Sequence, residues 1–168
     1  MSPEKAPAEQ ESISFEKIVF SVQPGWNNEK YGKDVEITKD GILYYRLRER
    51  HNGTVVENYK AKLDSLSMGR VYGFLDSTDF NSLKDKYNNT EDASWYSLQF
   101  VFYNGEVKMQ GTLPDDYWKK VRKLLVLIDK RNLTKSENRY FSTTEDVLLP
   151  PPPAPIRVEM LSDSLNRK

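Results

Sequence analysis

The chain has 168 residues, with 25 acidic and 25 basic side chains and no cysteine. A formal net charge of zero argues against a general nucleic-acid or membrane-surface binder, because holding phosphates needs a basic surplus or patch. The lack of cysteine excludes disulfides, thiolate nucleophiles and Cys-ligated metals or clusters, and leaves the compartment open.

Residues 1–12 are rich in Pro, Ala and Glu and offer nothing to pack, so they read as a flexible linker. That linker is either a natural disordered start or the spacer left when a signal or lipoprotein anchor is trimmed and Met1 added. The longest apolar run, Leu124 to Ile128, is far short of the roughly 20 residues of a membrane span.

Ile13 to Val22 alternates as a strand, with a change of phase between Phe15 and Ile18 that implies a bulge. The loop from Gln23 to Gly32 carries Trp26 and Tyr31 among turn-forming residues. Val35 to Arg48 reads as a hairpin through Asp40-Gly41, and His51-Asn52-Gly53 turns into a fourth strand, Val55 to Lys62. Asp64 or Ser65 can cap a helix bearing Leu66, Val71, Phe74 and Leu75, although Gly69 and Gly73 weaken it. Phe80, Leu83 and Tyr87 suggest a second, short helix. Trp95 to Gly111 reads as a hairpin turning at Asn104-Gly105, with Phe102 opposite Val107 and Phe100 opposite Met109. Pro114 with Asp115 and Asp116 opens a helix whose stripe is Trp118, Val121, Leu125 and Ile128. Beyond Thr134 the periodicity fades. The tract from Pro150 to Pro155 is polyproline in character, and residues 156–160 could add a short strand.

The expected architecture is α+β and two-layered. An antiparallel six-stranded sheet, in the order β-β-β-β-α-α-β-β-α, carries its helices on one face. The expected organisation is a linker at 1–12, one soluble domain at 13–132 and an extended Pro-rich tail at 133–168. The uncovered sheet face is expected to hold Tyr44, Arg46, Gln99, Val101, Tyr103 and Lys108, a mixed and partly wet surface.

Catalytic equipment is sparse. His51 is the only histidine and stands at a turn, where solvent exposure is the ordinary outcome. Asp115-Asp116 serves a helix start, and adjacent carboxylates seldom span a cleft. Asp34, Glu36 and Asp40 lack the spacing of an EF-hand loop, and no phosphate-binding glycine loop is present. No metal, no cofactor and no enzymatic activity are therefore expected. The suggestive feature is aromatic. Trp26 and Tyr31 sit on a polar loop, and Tyr44 and Tyr103 add to a sheet face, as binding surfaces often arrange them. The competing reading of Trp26 is a lid folded onto the core.

The opening Ile-x-Phe strand, Tyr31-Gly32, the Asp40-Gly41 turn into Tyr44-Tyr45, Asp79-Phe80 and the closing helix with Leu125 and Ile128 form a pattern over residues 15–130. This pattern resembles an uncharacterised bacterial domain family of unknown function, common in Bacteroidetes. The resemblance implies a secreted or lipid-anchored setting, periplasmic or at the surface, and no particular activity. The functional expectation is a non-catalytic protein-interaction module, such as an immunity protein or a cell-envelope accessory protein. The alternative is a small-ligand binder with a pocket between sheet and helices, lined by Phe74, Phe100, Phe102 and Trp118.

Overall fold

The structure is a computed structural model that describes residues 14–25, 29–83, 94–112, 121–128 and 132–148. Among the described residues seven strands form one antiparallel sheet: β1 (Phe15–Gln23), β2 (Tyr31–Thr38), β3 (Ile42–Glu49), β4 (Val55–Lys62), β5 (Trp95–Phe102), β6 (Gly105–Gly111) and β7 (Thr134–Lys135). Their order is β6-β5-β1-β2-β3-β4-β7. The helices are α1 (Ser65–Asp76), α2, whose described part is 121–125, and α3 (Thr144–Leu148).

Alternation sets which side chains share a face. Leu98, Phe20, Val35 and Tyr45 are successive cross-strand partners, as are Phe100, Ile18, Ile37 and Leu43. These two rows form the floor of the core. Val71, Phe74 and Leu75 of α1 and Val121, Leu124 and Leu127 around α2 close it from above. Phe74 stacks on Phe100 at 6.1 Å, and Phe80 meets Phe100 and Phe102 edge-on. The phase change in β1 is a register shift between Phe15 and Lys17, which keeps Phe15 buried on the same side as Ile18.

Several expectations need correction. The sheet has seven strands rather than six, because residues 134–135 pair with Tyr59 and Lys60 of β4. The expected second helix is a single 3-10 turn, Phe80–Ser82, and Tyr87 lies outside the described residues. The β5–β6 turn is Tyr103-Asn104, so Phe100 faces Val107 and Leu98 faces Met109. That slip of two residues leaves every side chain on its expected face, because the pleat repeats every two. The Asp40-Gly41 turn is as expected, with Gly41 at φ +74°.

The larger correction concerns layers. Residues 133–148 were expected to be extended tail, yet Phe141, Thr143 and Val147 are buried, against the sheet face opposite α1. The sheet is thus covered on both sides. Residues 1–12, Trp118, the proline tract and residues 156–160 lie outside the described residues.

α1 begins where Asp64 accepts a hydrogen bond from the Ser67 amide at 2.7 Å, which holds that carboxyl below its ordinary range. Leu66, expected on the buried stripe, is instead exposed, because it lies in the first turn, before the helix settles on the sheet. Gly69 and Gly73 have no atom within 4 Å of where a Cβ would stand, so neither allows a close approach to the sheet. Gly73→Ala is expected to stabilise the fold by about 1 kcal/mol through helix propensity; urea denaturation compared with wild type measures it.

Candidate functional site

The face opposite α1 is built from the polar positions of the same strands. Ser21, Asp34 and Arg46 are consecutive cross-strand partners, with Ser97 beyond Ser21. Asp34 is 0% exposed. Its Oδ2 accepts from Nε of both Arg46 and Arg48 at 2.7 Å, and its Oδ1 accepts from Ser21 at 2.6 Å and Thr144 at 3.0 Å. Two guanidiniums and two hydroxyls thereby satisfy one carboxylate, which is what keeps a buried charge affordable. Arg48 also donates to Gln23 and to the Val22 carbonyl. It lies against Gly32, where a Cβ would come within 2.9 Å of its Nη1; Gly32 thus serves packing.

Residues 133–148 cross this face as a strap. Arg46 donates to the Arg139 carbonyl at 2.8 Å and to Thr144 at 2.8 Å, and its guanidinium lies 4.6 Å from the Phe141 ring centre. Thr143 and Ser21 share a hydrogen bond of 2.6 Å. Asp146 accepts from Ser97 at 2.7 Å and pairs with Lys108 at 2.8 Å, while its carbonyl accepts from the Trp95 indole at 3.1 Å. Glu36 is paired with Arg139 at 2.5 Å. This polar face is therefore occupied by the chain itself, and its charges serve structure.

An open cleft of about 420 Å³ lies on the other face, at the end of the sheet where β1 leaves and β2 and β5 begin. Val22 pairs with Lys33 on one side and Tyr96 on the other, so Lys33, Val22 and Tyr96 make one row across three strands. Arg122, Leu125 and Val126 form the facing wall; their i, i+3, i+4 spacing places them on one flank of α2. Glu29 and Ser94 complete the lining. The amide of Gly25 donates to Ser94 at 3.4 Å, tying the loop after β1 to the cleft mouth.

The cleft is mixed in charge. Glu29 and Lys33 form a 3.4 Å ion pair, both partly exposed. Among the described residues Arg122 makes no ion pair. Val126 is 73% exposed. The Tyr96 phenol, stacked on Phe20 at 6.0 Å, is pushed up by burial and by Glu29, and pulled down by its hydrogen bond with Ser94 and by Arg122. Glu29 and Arg122 therefore both act on that hydroxyl.

Of the residues expected to bind, Trp26 lies outside the described residues. Tyr31 is half-buried under the Lys30 ammonium, 5.2 Å from its ring centre, and stands two residues from Lys33 on the same side of β2. Tyr44 is on the strapped face, with the Arg139 guanidinium 4.0 Å from its ring centre. Tyr103 is 89% exposed at the β5–β6 turn, at the far end of the sheet. The structure does not bring Tyr31, Tyr44 and Tyr103 together. The cleft residues Lys33, Tyr96 and Arg122 were not singled out, because each reads alone as an ordinary strand or helix position. Their shared row appears only once the β1–β2 and β1–β5 registers are known. No protein-family model matches the chain, and no curated protein matches it either.

His51 is exposed at its turn. Among the described residues no three His, Cys, Asp or Glu side chains gather as a metal site would need, and no helix is long and apolar enough to cross a membrane.

Beside the cleft row, burial pushes the Tyr45 phenol up to about 12, with Glu29 and Tyr59 adding to the shift. A folded pKa above the unfolded value leaves stability intact below pH 10.0 and erodes it as pH rises towards 12. Tyr45→Phe is expected to flatten that alkaline loss. Phenolate absorbance should show one fewer late-titrating tyrosine in the variant than in wild type, where Tyr59 and Tyr96 are also raised.

Proposed function

We propose that the protein is a non-catalytic interaction module, of the kind an immunity protein or a cell-envelope accessory protein provides, and that it engages another protein through the cleft end of the domain. The observation that carries this reading is the contrast between the two faces. On the strapped face Asp34, Arg46 and Arg48 are buried and bonded to each other and to their neighbours, residues 133–148 among them. At the cleft, an exposed valine and an arginine without an ion pair among the described residues stand beside Tyr96 and Ser94, to which the Gly25 amide is bonded. An apolar patch rimmed by charge and aromatic side chains is how recognition surfaces are composed. A periplasmic or surface-anchored setting rests on the family resemblance alone.

The small-ligand reading has one observation in its favour: 420 Å³ falls in the range of ligand pockets. Its place would be this cleft, since Phe74 and Phe100, named for an interior pocket, are buried against each other.

Affinity capture from the source lysate, with mass spectrometry, tests the module. Wild type is compared with Trp26→Ala/Tyr31→Ala, with Val126→Asp, and with Tyr103→Ala as a far-end control. A partner held by wild type and the control but lost by the other two supports the reading. A partner indifferent to all three variants, or none at all, counts against it.

A further inference from the structure

We infer that the cleft beside α2 receives the free C-terminal carboxylate of a partner polypeptide that ends in an aliphatic residue. This rests on the interaction-module reading and gives it a chemistry. Two cations, Lys33 and Arg122, and one anion, Glu29, line the cleft. Lys33 is already engaged by Glu29 at 3.4 Å, so one positive charge, on Arg122, is left to meet an anion. Glu29 repels a second carboxylate from its own side and steers it towards Arg122. Tyr96 lines the same cleft as Arg122, which brings a phenol hydroxyl to the site as a donor for a bound oxygen.

Next to this polar pair the walls are apolar: Val22 from β1, and Leu125 and Val126 from the same flank of α2 as Arg122. A cation and a hydroxyl directly abutting an aliphatic surface call for a carboxylate and an aliphatic branch on neighbouring atoms. A C-terminal Val, Leu or Ile has both on one Cα. An internal Asp or Glu carries its carboxylate at the tip of the side chain, with no apolar branch beside it. Capture of a chain terminus is a recurring mode of peptide recognition. The cleft is open, so the rest of the partner chain has a way out.

The test is an NMR titration of the full-length, isotope-labelled protein with the acetylated peptide Ac-Ser-Gly-Ser-Gly-Ser-Val. The same peptide as its C-terminal amide and free leucine serve as the other arms. The expected result is shifted amides at Ser94, Tyr96 and Arg122 with the acid, and affinity about tenfold weaker with the amide. Arg122→Gln should weaken the acid by about tenfold as well, while Tyr103→Ala changes nothing; unshifted spectra elsewhere show that both variants are folded. Equal binding of acid and amide, no shifts up to millimolar peptide, or shifts confined to another surface overturns the inference. Tighter binding of free leucine than of the peptide also overturns it and makes the ligand a free amino acid. A partner captured through this end that still binds when its C-terminal carboxylate is converted to the amide defeats the carboxylate inference while leaving the interaction module standing.

Discussion

Replacing Asp34 with alanine is expected to destabilise the protein by about 3–5 kcal/mol. The reason is the company the carboxylate keeps. Arg46 and Arg48 both direct Nε at the same oxygen, and both are buried. Removing Asp34 leaves two guanidiniums held out of water without their counter-charge. They also cannot swing into solvent easily, because Arg48 is tied to Gln23 and Val22 and Arg46 lies under residues 138–144. Against a typical total of about 5–15 kcal/mol, such a loss can abolish folding at physiological temperature. Arg46→Met separates this from generic damage. It removes one cation and leaves Asp34 its bond from Arg48, so it is expected to cost less than Asp34→Ala. Urea denaturation of the three proteins decides the matter. A cost for Asp34→Ala within about 1 kcal/mol of wild type, the range of an exposed pair, would mean that the cluster is wetter and looser than the structure describes.

The same cluster shows what could be read from the chain and what could not. Alternation at Ile18, Phe20 and Val22, at Val35 and Ile37, and at Leu98 and Phe100 announces the core side of each strand, because burial under α1 selects for it. The phase change before Ile18 announces the bulge. On the opposite side, Ser21, Asp34, Arg46 and Arg48 have the polar pattern of a solvated face, and pattern alone does not say whether a polar face is later covered. A signal was nonetheless present. Once β1, β2 and β3 are aligned, Asp34 stands directly opposite Arg46 and beside Ser21, a cross-strand opposite-charge pair of the kind that stabilises sheets. The cover, residues 133–148, was missed for a related reason. It holds to the sheet largely through side-chain hydrogen bonds carried on irregular backbone, so its apolar contacts at Phe141 and Val147 are isolated and carry neither the helical nor the strand period. The cleft was illegible for a third reason. Lys33, Tyr96 and Arg122 belong to three separate elements and converge only through register and the placement of α2.

Phe141→Ala is expected to cost about 3–5 kcal/mol and to loosen the strap before the rest of the domain. Phe141 is 1% exposed and lies outside the main core cluster. It is the large apolar group that the strap brings to a face otherwise dominated by polar side chains, and the Arg46 guanidinium rests on its ring. Truncation at Cβ leaves a cavity and removes the cation–π contact. The damage should then spread along the hydrogen bonds that Phe141 positions: Arg139 carbonyl to Arg46, Thr143 to Ser21, Thr144 to Asp34, Asp146 to Ser97. Hydrogen exchange distinguishes local from global loss. The Thr144 and Ser136 amides, which donate to the Phe141 and Asn58 carbonyls, should exchange far faster in the variant, while Ile37 and Phe100 at the centre of the sheet keep most of their protection. Uniform acceleration across all four would instead mean that strap and sheet unfold as one unit. Unchanged exchange at Thr144 and Ser136 would mean that the polar bonds hold the strap without its aromatic plug. The first pattern would make residues 133–148 a separable layer, closed over Asp34 by one buried ring and a short run of hydrogen bonds, with the cleft on the opposite face undisturbed.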